Sequence, residues 1–184
     1  YNRVLGPDFQ WRPTATETIT GQLLLSDTRT PNRPDLAEEW TGQSMTSHAA
    51  HLQWSHTTTR FDSSATFKDV GEGFRAETGF VPQVAYRETS AGGGWTLRPT
   101  GVVSKLRTFV NAVRQVDRTG TLIGREVNSG VTMFTRWNGF VQVRYIDDAI
   151  QVGAHLINRK RLGYVAQFSP SRLLSTVAVR GTTG

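Results

Sequence analysis

The sequence contains no cysteine. This absence excludes disulfide bonds, thiolate catalysis and thiolate metal ligands. No run of about 18 apolar residues occurs either, so the sequence predicts no transmembrane helix. The apolar content of 37% lies below the roughly 45–50% of ordinary globular domains. Good helix formers are scarce, while glycine, serine and threonine are frequent. This composition favours an all-β protein with many turns.

The charge is unbalanced toward the basic side, with 21 Lys and Arg residues against 15 Asp and Glu residues, a net charge of +6. Such an excess suits nucleic acid, anionic lipid or acidic glycans as partners. The basic residues are spread along the chain, and the one tight run, Arg159-Lys160-Arg161, is interpreted as a solvated turn, with a phosphate contact as the alternative. Because nucleic-acid binding would rest on charge alone, we expect no specific nucleic-acid partner.

Alternation of apolar and polar residues recurs along the chain and predicts β-strands. It predicts strands within residues 18–26, 47–56, 95–103, 105–116, 150–156, 164–168 and 173–180. Short stretches that contain glycine predict turns, notably a flexible hairpin tip at residues 92–94 and turns at 118–120 and 128–130. A short helix is possible at residues 36–40. We expect residues 1–184 to form a single all-β domain excised from a longer protein.

Two alternating segments, residues 74–86 and 131–145, are longer than the ~5–6 residues of an ordinary strand. Each reaches the ~9–11 residues that cross a bilayer. Phe74 and Tyr86 stand at the two ends of one apolar face, as in the aromatic girdles of membrane barrels. The predicted fold is therefore an antiparallel β-barrel of outer-membrane type, or a fragment of one. A β-sandwich or jelly roll is the alternative, since alternation alone cannot tell which face meets water.

In a membrane barrel the polar side chains of these long strands would line a wet, charged interior, and the apolar ones would contact membrane lipid or detergent. The predicted binding residues are Arg75, Glu77, Gln83, Arg87, Arg136, Gln142 and Arg144. We expect this lining to contact anions or polysaccharide.

Three stretches resemble one bacterial envelope family: YNRVLGPDFQWRPT, FKDVGEGFRAETGFVPQ and FSPSRLLSTVAVRG. The matching residues are Asn2, Gly6, Asp8, Phe9, Arg12, Asp69, Gly71, Phe74, Glu77, Gly79, Phe80, Val81, Pro170, Ser171 and Arg172. The family carries an N-terminal domain similar to family-nine carbohydrate-binding modules, followed by an outer-membrane β-barrel of unknown function. The resemblance covers the barrel part, in the same order, and implies an excised portion of that barrel. It implies no catalytic residues.

Carboxylates offer a second interpretation, since two of them about 5–9 Å apart could hydrolyse a glycosidic bond. The candidate catalytic residues are Asp69, Glu72 and Glu77. The alternative for these residues is a turn with an Asx-type bond and an ion pair in the strand wall. A further acidic pair, Asp147 and Asp148, would need a turn to share a site, because adjacent strand residues point to opposite faces.

The histidines do not have metal-ligand spacing. On a strand, His48 and His51 face opposite sides, and His48 and His56 lie about 26 Å apart at about 3.3 Å per residue. Neither a phosphate-binding loop nor a nucleophile elbow is present. The sequence thus predicts no metal site and no cofactor.

The leading functional prediction is a structural or pore-like β-barrel domain of the bacterial outer membrane with a charged lumen. The alternative is a secreted all-β glycoside hydrolase or carbohydrate-binding module, with tryptophans stacking on sugar rings. The tryptophans are interpreted first as wall or girdle residues. They are Trp11, Trp40, Trp54, Trp95 and Trp137.

Overall fold

The computed structural model describes residues 1–33, 35, 41–76, 83–136, 138–153, 155–169 and 176–184. Eleven β-strands make up the regular structure of these residues. The strands are β1 Asn2–Leu5, β2 Asp8–Trp11, β3 Glu17–Arg29, β4 Ser44–Thr57, β5 Phe61–Val70, β6 Tyr86–Leu97, β7 Val103–Asp117, β8 Leu122–Thr135, β9 Phe140–Val152, β10 His155–Phe168 and β11 Val177–Thr183. In these parts of the chain, no helix has the length and apolar character needed to span a membrane.

The strands form one antiparallel sheet in the order β1-β3-β4-β5-β6-β7-β8-β9-β10-β11, and β2 also pairs with β3. From β3 onward, strands that follow one another in the chain are neighbours in the sheet. Among the described strands β11 pairs with neither β1 nor β2, so the sheet is not closed. The predicted all-β antiparallel class is confirmed, and an open sheet is compatible with a fragment of a barrel.

The chain divides into two compact units. The first unit consists of Tyr1–Trp54, Thr66–Thr89 and Gln115–Thr121. The second unit consists of Ser55–Ala65, Ser90–Arg114 and Leu122–Gly184.

In the first unit, β3 has a polar face that is buried and an apolar face that is exposed. Ser26 and Thr28 are 1% and 0% exposed, whereas Leu25 is 55% exposed. Residues directly opposite each other in an antiparallel pair share a face, and Leu5 of β1 lies opposite Leu25. Asn2 lies opposite Thr28 and donates its Nδ2–H to the Thr28 hydroxyl at 2.6 Å. Polar side chains are therefore packed on the covered side of this strand.

The second unit repeats this arrangement over β8 to β11, where the registers place every residue on one of two faces. One, called here the apolar face, carries Val131, Met133, Val141, Val143, Tyr145, Leu162, Tyr164, Ala166, Phe168, Val177 and Val179. Toward the end of β9 and the start of β10, the same face also carries Arg125, Asp147, Asn158 and Lys160. The other, called here the polar face, carries Glu126, Asn128, Thr132, Gln142, Arg144, Asp148, Arg159, Arg161, Gln167, Arg180 and Thr182. Val143 on the apolar face is 44% exposed, whereas Thr132 and Asp148 on the polar face are 7% and 5% exposed. The contrast is not uniform, because Ala149 on the apolar face is 2% exposed, and some polar-face residues are exposed: Arg144, Arg159, Gln167, Arg180 and Thr182.

Burial across the described residues is thus inverted relative to a water-soluble domain. The buried polar residues are Ser26, Thr28, Thr30, Thr96, Thr132 and Asp148, and the buried hydrophobic residues are Phe74, Ile146 and Ala149. Large apolar side chains, Trp11, Leu25 and Tyr164 among them, are exposed in both units. Soluble domains bury Ile, Val, Leu and Phe most often and keep most threonines outside.

Most strands are long. β4 has 14 residues and β7 has 15, compared with about 5–6 in an ordinary strand and ~9–11 for one that crosses a bilayer. The strands predicted within residues 18–26, 47–56, 105–116 and 164–168 are confirmed as parts of β3, β4, β7 and β10. Those predicted at 95–103 and 150–156 were wrong, because β6 ends at Leu97 and β9 ends at Val152. Of residues 173–180, the described part enters β11 at Val177.

The two longest predicted strands were wrong. Residues 131–145 form a hairpin, in which β8 ends at Thr135 and β9 begins at Phe140. The turn places Asn138 at a φ of 56°, a value that Asn tolerates better than most residues. Of residues 74–86, only Tyr86 belongs to a strand among those described; residues 77–82 lie outside the described part. The possible helix at residues 36–40 also lies outside it.

Three predicted turns are strand interior. Residues 92–94 lie within β6, residues 128–130 within β8, and the basic run at 159–161 within β10. Glycines are required in β6 because neighbouring strands lie close against them: side chains of β7 at Gly92 and Gly94, and the Asp62 carbonyl oxygen of β5 at Gly93. A Cβ at Gly94 would come within 2.5 Å of the Arg107 guanidinium.

The turn between β7 and β8 follows its sequence signal. The Asp117 carboxylate accepts hydrogen bonds from the backbone N–H of Thr119 and of Thr121, both at 2.8 Å. Gly120 has a φ of 92°, which favours glycine. The predicted turn at residues 118–120 is therefore confirmed.

Candidate functional site

Asp148 is the most enclosed charged group described on the polar face. Its carboxylate, 5% exposed, accepts a hydrogen bond from Arg159 Nε at 3.0 Å and one from Arg161 Nη2 at 3.1 Å. These three residues belong to adjacent strands β9 and β10. A buried carboxylate needs such partners, because desolvation of an unpaired charge costs several kcal/mol. Arg159 and Arg161 therefore neutralise the buried carboxylate of Asp148.

Other ion pairs join strands elsewhere, either between neighbours or across one intervening strand. In the second unit, Arg107 of β7 bonds the carboxylate of Asp62 of β5, with Nε 3.2 Å from Oδ1, and Gly94 of β6 leaves the space that the guanidinium occupies. In the first unit, Lys68 Nζ lies 2.9 Å from Glu88 Oε1. In these two pairs, each charged side chain thus has an oppositely charged partner on another strand of the sheet.

Arg144 and Arg180 differ from these residues. In the part of the chain that the structure describes, neither guanidinium has a carboxylate or other hydrogen-bond acceptor. They line a groove of 160 Å³ on the polar face together with Gln142, Gly163, Val165 and Thr182. Gln142 also donates a hydrogen bond to the Thr132 hydroxyl at 3.0 Å.

The described members of the predicted binding set fall in both units. Gln142 and Arg144 lie together on β9, as predicted, while Arg136 lies exposed in the turn after β8. In the first unit, Arg87 Nε lies 3.3 Å from Asp69 Oδ2, and Gln83 accepts a hydrogen bond from Gln115 at 3.1 Å.

One further predicted binding residue, Arg75, follows the end of β5. The Arg75 carbonyl accepts a hydrogen bond from Asn2 Nδ2 at 3.0 Å. Glu77, which was also a candidate catalytic residue, lies outside the described residues.

Asp69, the first candidate catalytic carboxylate, is surrounded by basic groups at the end of β5. Its oxygens lie 2.6 Å from Arg118 Nη1, 3.3 Å from Arg87 Nε and 3.5 Å from His48 Nε2. Glu72 is exposed in the turn that follows. These contacts join the end of β5 to the start of β6 and to the β7–β8 turn. Arg118 was missed by the sequence reasoning because it lies in the β7–β8 turn, 49 residues from Asp69 along the chain.

The remaining sequence candidates are separated. Asp147 and Asp148 point to opposite faces of β9, as predicted: Asp147 Oδ1 lies 3.5 Å from Arg125 Nη2, while Asp148 meets the arginines of β10. His48, His51 and His56 all lie on the single strand β4. Within the described ranges, no three His, Asp or Glu residues are grouped so that they could hold a metal ion.

Aromatic side chains cluster where β4 and β5 meet their connecting turn. The ring centroids of His56 and Phe61 are 6.0 Å apart, as are those of Phe61 and Trp95. Trp95 and Trp11 are 51% and 59% exposed. Trp40 and Trp137 lie outside the described residues. Exposed tryptophans with an apolar body and a polar N–H are typical of surfaces at a membrane–water interface.

Comparison with protein-family models, with curated proteins and with solved structures finds no match to this chain.

Proposed function

We propose that this chain is part of an outer-membrane-type β-barrel, with its apolar face toward lipid and its polar face toward a water-filled interior. The observation that carries the proposal is the inverted burial: Thr28, Thr132 and Asp148 are buried while Leu25 and Val143 are exposed. In water, contiguous exposed apolar surface drives association or aggregation. In the hydrocarbon core of a bilayer, the same apolar surface contacts lipid chains, and its exposure does not drive aggregation.

The length of the strands supports the same proposal. At about 3.3 Å per residue, the 14 residues of β4 exceed what a tilted strand needs to cross the ~30 Å hydrocarbon core. The aromatic cluster of His56, Phe61 and Trp95 lies at one end of the β4–β5 hairpin, where a girdle would be expected.

The role that we propose is structural or pore-like, in the outer membrane of a bacterium. The resemblance to the bacterial envelope family supports that location. The ion pairs Lys68–Glu88 and Asp62–Arg107 fit a wet lining, because these cross-strand charge pairs stabilise the sheet while their side chains remain partly accessible to water.

Catalysis is not part of the proposal. The glycoside-hydrolase alternative depended on Asp69, Glu72 and Glu77, of which Glu77 lies outside the described residues. Asp69 is engaged by three basic side chains, and Glu72 is exposed in a turn. No geometric feature of these two residues favours a pair of carboxylates flanking a glycosidic bond.

Vesicle flotation tests the proposal. The full chain is refolded in detergent, transferred to zwitterionic phosphatidylcholine vesicles, and centrifuged in a sucrose gradient at high salt. We expect it to float with the vesicles and to stay with them after an alkaline wash. Zwitterionic lipid and high salt exclude simple attraction of a chain of charge +6 to an anionic surface.

A chain that stays monomeric and folded in buffer without detergent, and does not float, would contradict the membrane placement. The alternative secreted all-β module would then be favoured.

A further inference from the structure

The polar face of β9 to β11 carries more basic groups than its carboxylates can neutralise. Arg159 and Arg161 share the carboxylate of Asp148. Arg144 and Arg180 have no partner within the described parts of the chain. Two guanidinium groups with unused donors on the same face form a local positive region that is available to a ligand.

The strand registers place Arg144 and Arg180 at the borders of the groove on the polar face. Arg144 lies directly opposite Gly163, and Gly163 lies directly opposite Thr182. Arg180 lies two positions before Thr182 on β11, and alternate residues of a strand share a face. The groove between them is therefore bordered by both arginines.

The groove exists because Gly163 has no side chain to fill it. A Cβ at this position would lie 3.1 Å from Arg144 Nε and 3.2 Å from Arg144 Cγ. The Arg144 side chain thus lies across Gly163 and reaches toward β11. A larger residue in place of Gly163 would displace this side chain without changing the charge of the groove.

We propose that this groove binds the oxyanion group of a small solute, a phosphate or a carboxylate. Guanidinium groups offer planar, paired N–H donors that match such oxygens. The Gln142 amide and the Thr182 hydroxyl, which border the same 160 Å³ groove, supply further donors. The inference rests on the proposed function for the groove's place in a wet interior, but the binding itself does not require a membrane.

Titration of inorganic phosphate into the full chain in detergent micelles, followed by calorimetry, tests the inference. We expect saturable binding of one phosphate per chain. Arg144→Gln and Arg180→Gln should each raise the Kd about tenfold or more, since a hydrogen bond to a charged group contributes about that factor or more. A parallel titration with glucuronate distinguishes a carboxylate ligand from a phosphate ligand, and saturable binding of either supports the inference.

Two variants separate a built site from general attraction of anions to a basic chain. Gly163→Leu should weaken binding by a similar factor although it removes no charge. Arg114→Gln is the matched control, because Arg114 is an exposed arginine on β7 that does not line the groove; it should leave the Kd unchanged.

The inference is overturned if neither anion binds saturably, or if Arg114→Gln weakens binding as much as Arg144→Gln does. If the chain floats with vesicles but binds neither anion, the proposed oxyanion site is wrong and the membrane placement stands. A chain that binds phosphate but does not float overturns only the membrane placement.

Discussion

Replacing Val143 by Arg should prevent stable insertion of the chain into a bilayer. Val143 is 44% exposed on the apolar face of β9, where the proposal places lipid. An arginine on the lipid face near the bilayer midplane costs about 2–4 kcal/mol, a large fraction of the stability of a typical domain. We expect the urea midpoint of the protein in vesicles to fall sharply, and the folded fraction to fall with it.

The neighbouring residue provides the matched control. Gln142 lies on the polar face, and Gln142→Arg should cost about 1 kcal/mol or less, the value of the lost hydrogen bond to Thr132. The two variants introduce the same side chain one position apart on one strand. If Gln142→Arg were the damaging change and Val143→Arg were harmless, the assignment of the two faces would be reversed.

Replacing Gly130 by Val should destabilise the pairing of β8 with β9 by about 3 kcal/mol, toward the upper end of what overpacking costs. A Cβ at Gly130 would lie 2.4 Å from the Val143 carbonyl oxygen and 3.0 Å from Cζ of Phe109. The carbonyl belongs to the backbone of a paired strand and cannot move without loss of ladder hydrogen bonds. Urea unfolding of the protein in micelles measures the effect.

Gly124→Val is the control for this prediction. Gly124 lies on the same strand and the same face as Gly130, but a Cβ there would lie 3.5 Å from the Ala149 carbonyl oxygen, an ordinary contact. Valine also favours strands, so we expect little change in stability. Equal losses for the two variants would show that any β-branched side chain on this face is harmful, and the argument from close approach would fail.

The strand content and the division into faces could be predicted from the sequence. A period of two is a local property, so the alternation around Val143 and Arg144 identified both the strand and the face of each residue. The same pattern hid the hairpin between β8 and β9. Odd-numbered residues pair with odd-numbered residues across that turn, so the alternation continues through it unchanged. Asn138 and Gly139 were the only local signal of the turn.

Longer-range features could not be predicted, because they depend on register. Residues 92–94 look like a flexible tip until Arg107 and Asn111 are placed across Gly94 and Gly92. The groove around Arg144 and Arg180 depends on two successive pairings, through Gly163. Single-sequence patterns indicate which face a side chain belongs to but do not indicate its neighbours on the next strand.

The measurement that tests the central claim most directly uses the absence of native cysteine. Single cysteines are introduced at each position of residues 141–145 on β9, labelled with a small fluorophore, and the protein is inserted into vesicles. Brominated acyl chains then quench from the lipid side and acrylamide from water. We expect lipid quenching at positions 141, 143 and 145 and acrylamide quenching at 142 and 144. Acrylamide quenching at all five positions, or lipid quenching at 142 and 144 instead, would contradict the account.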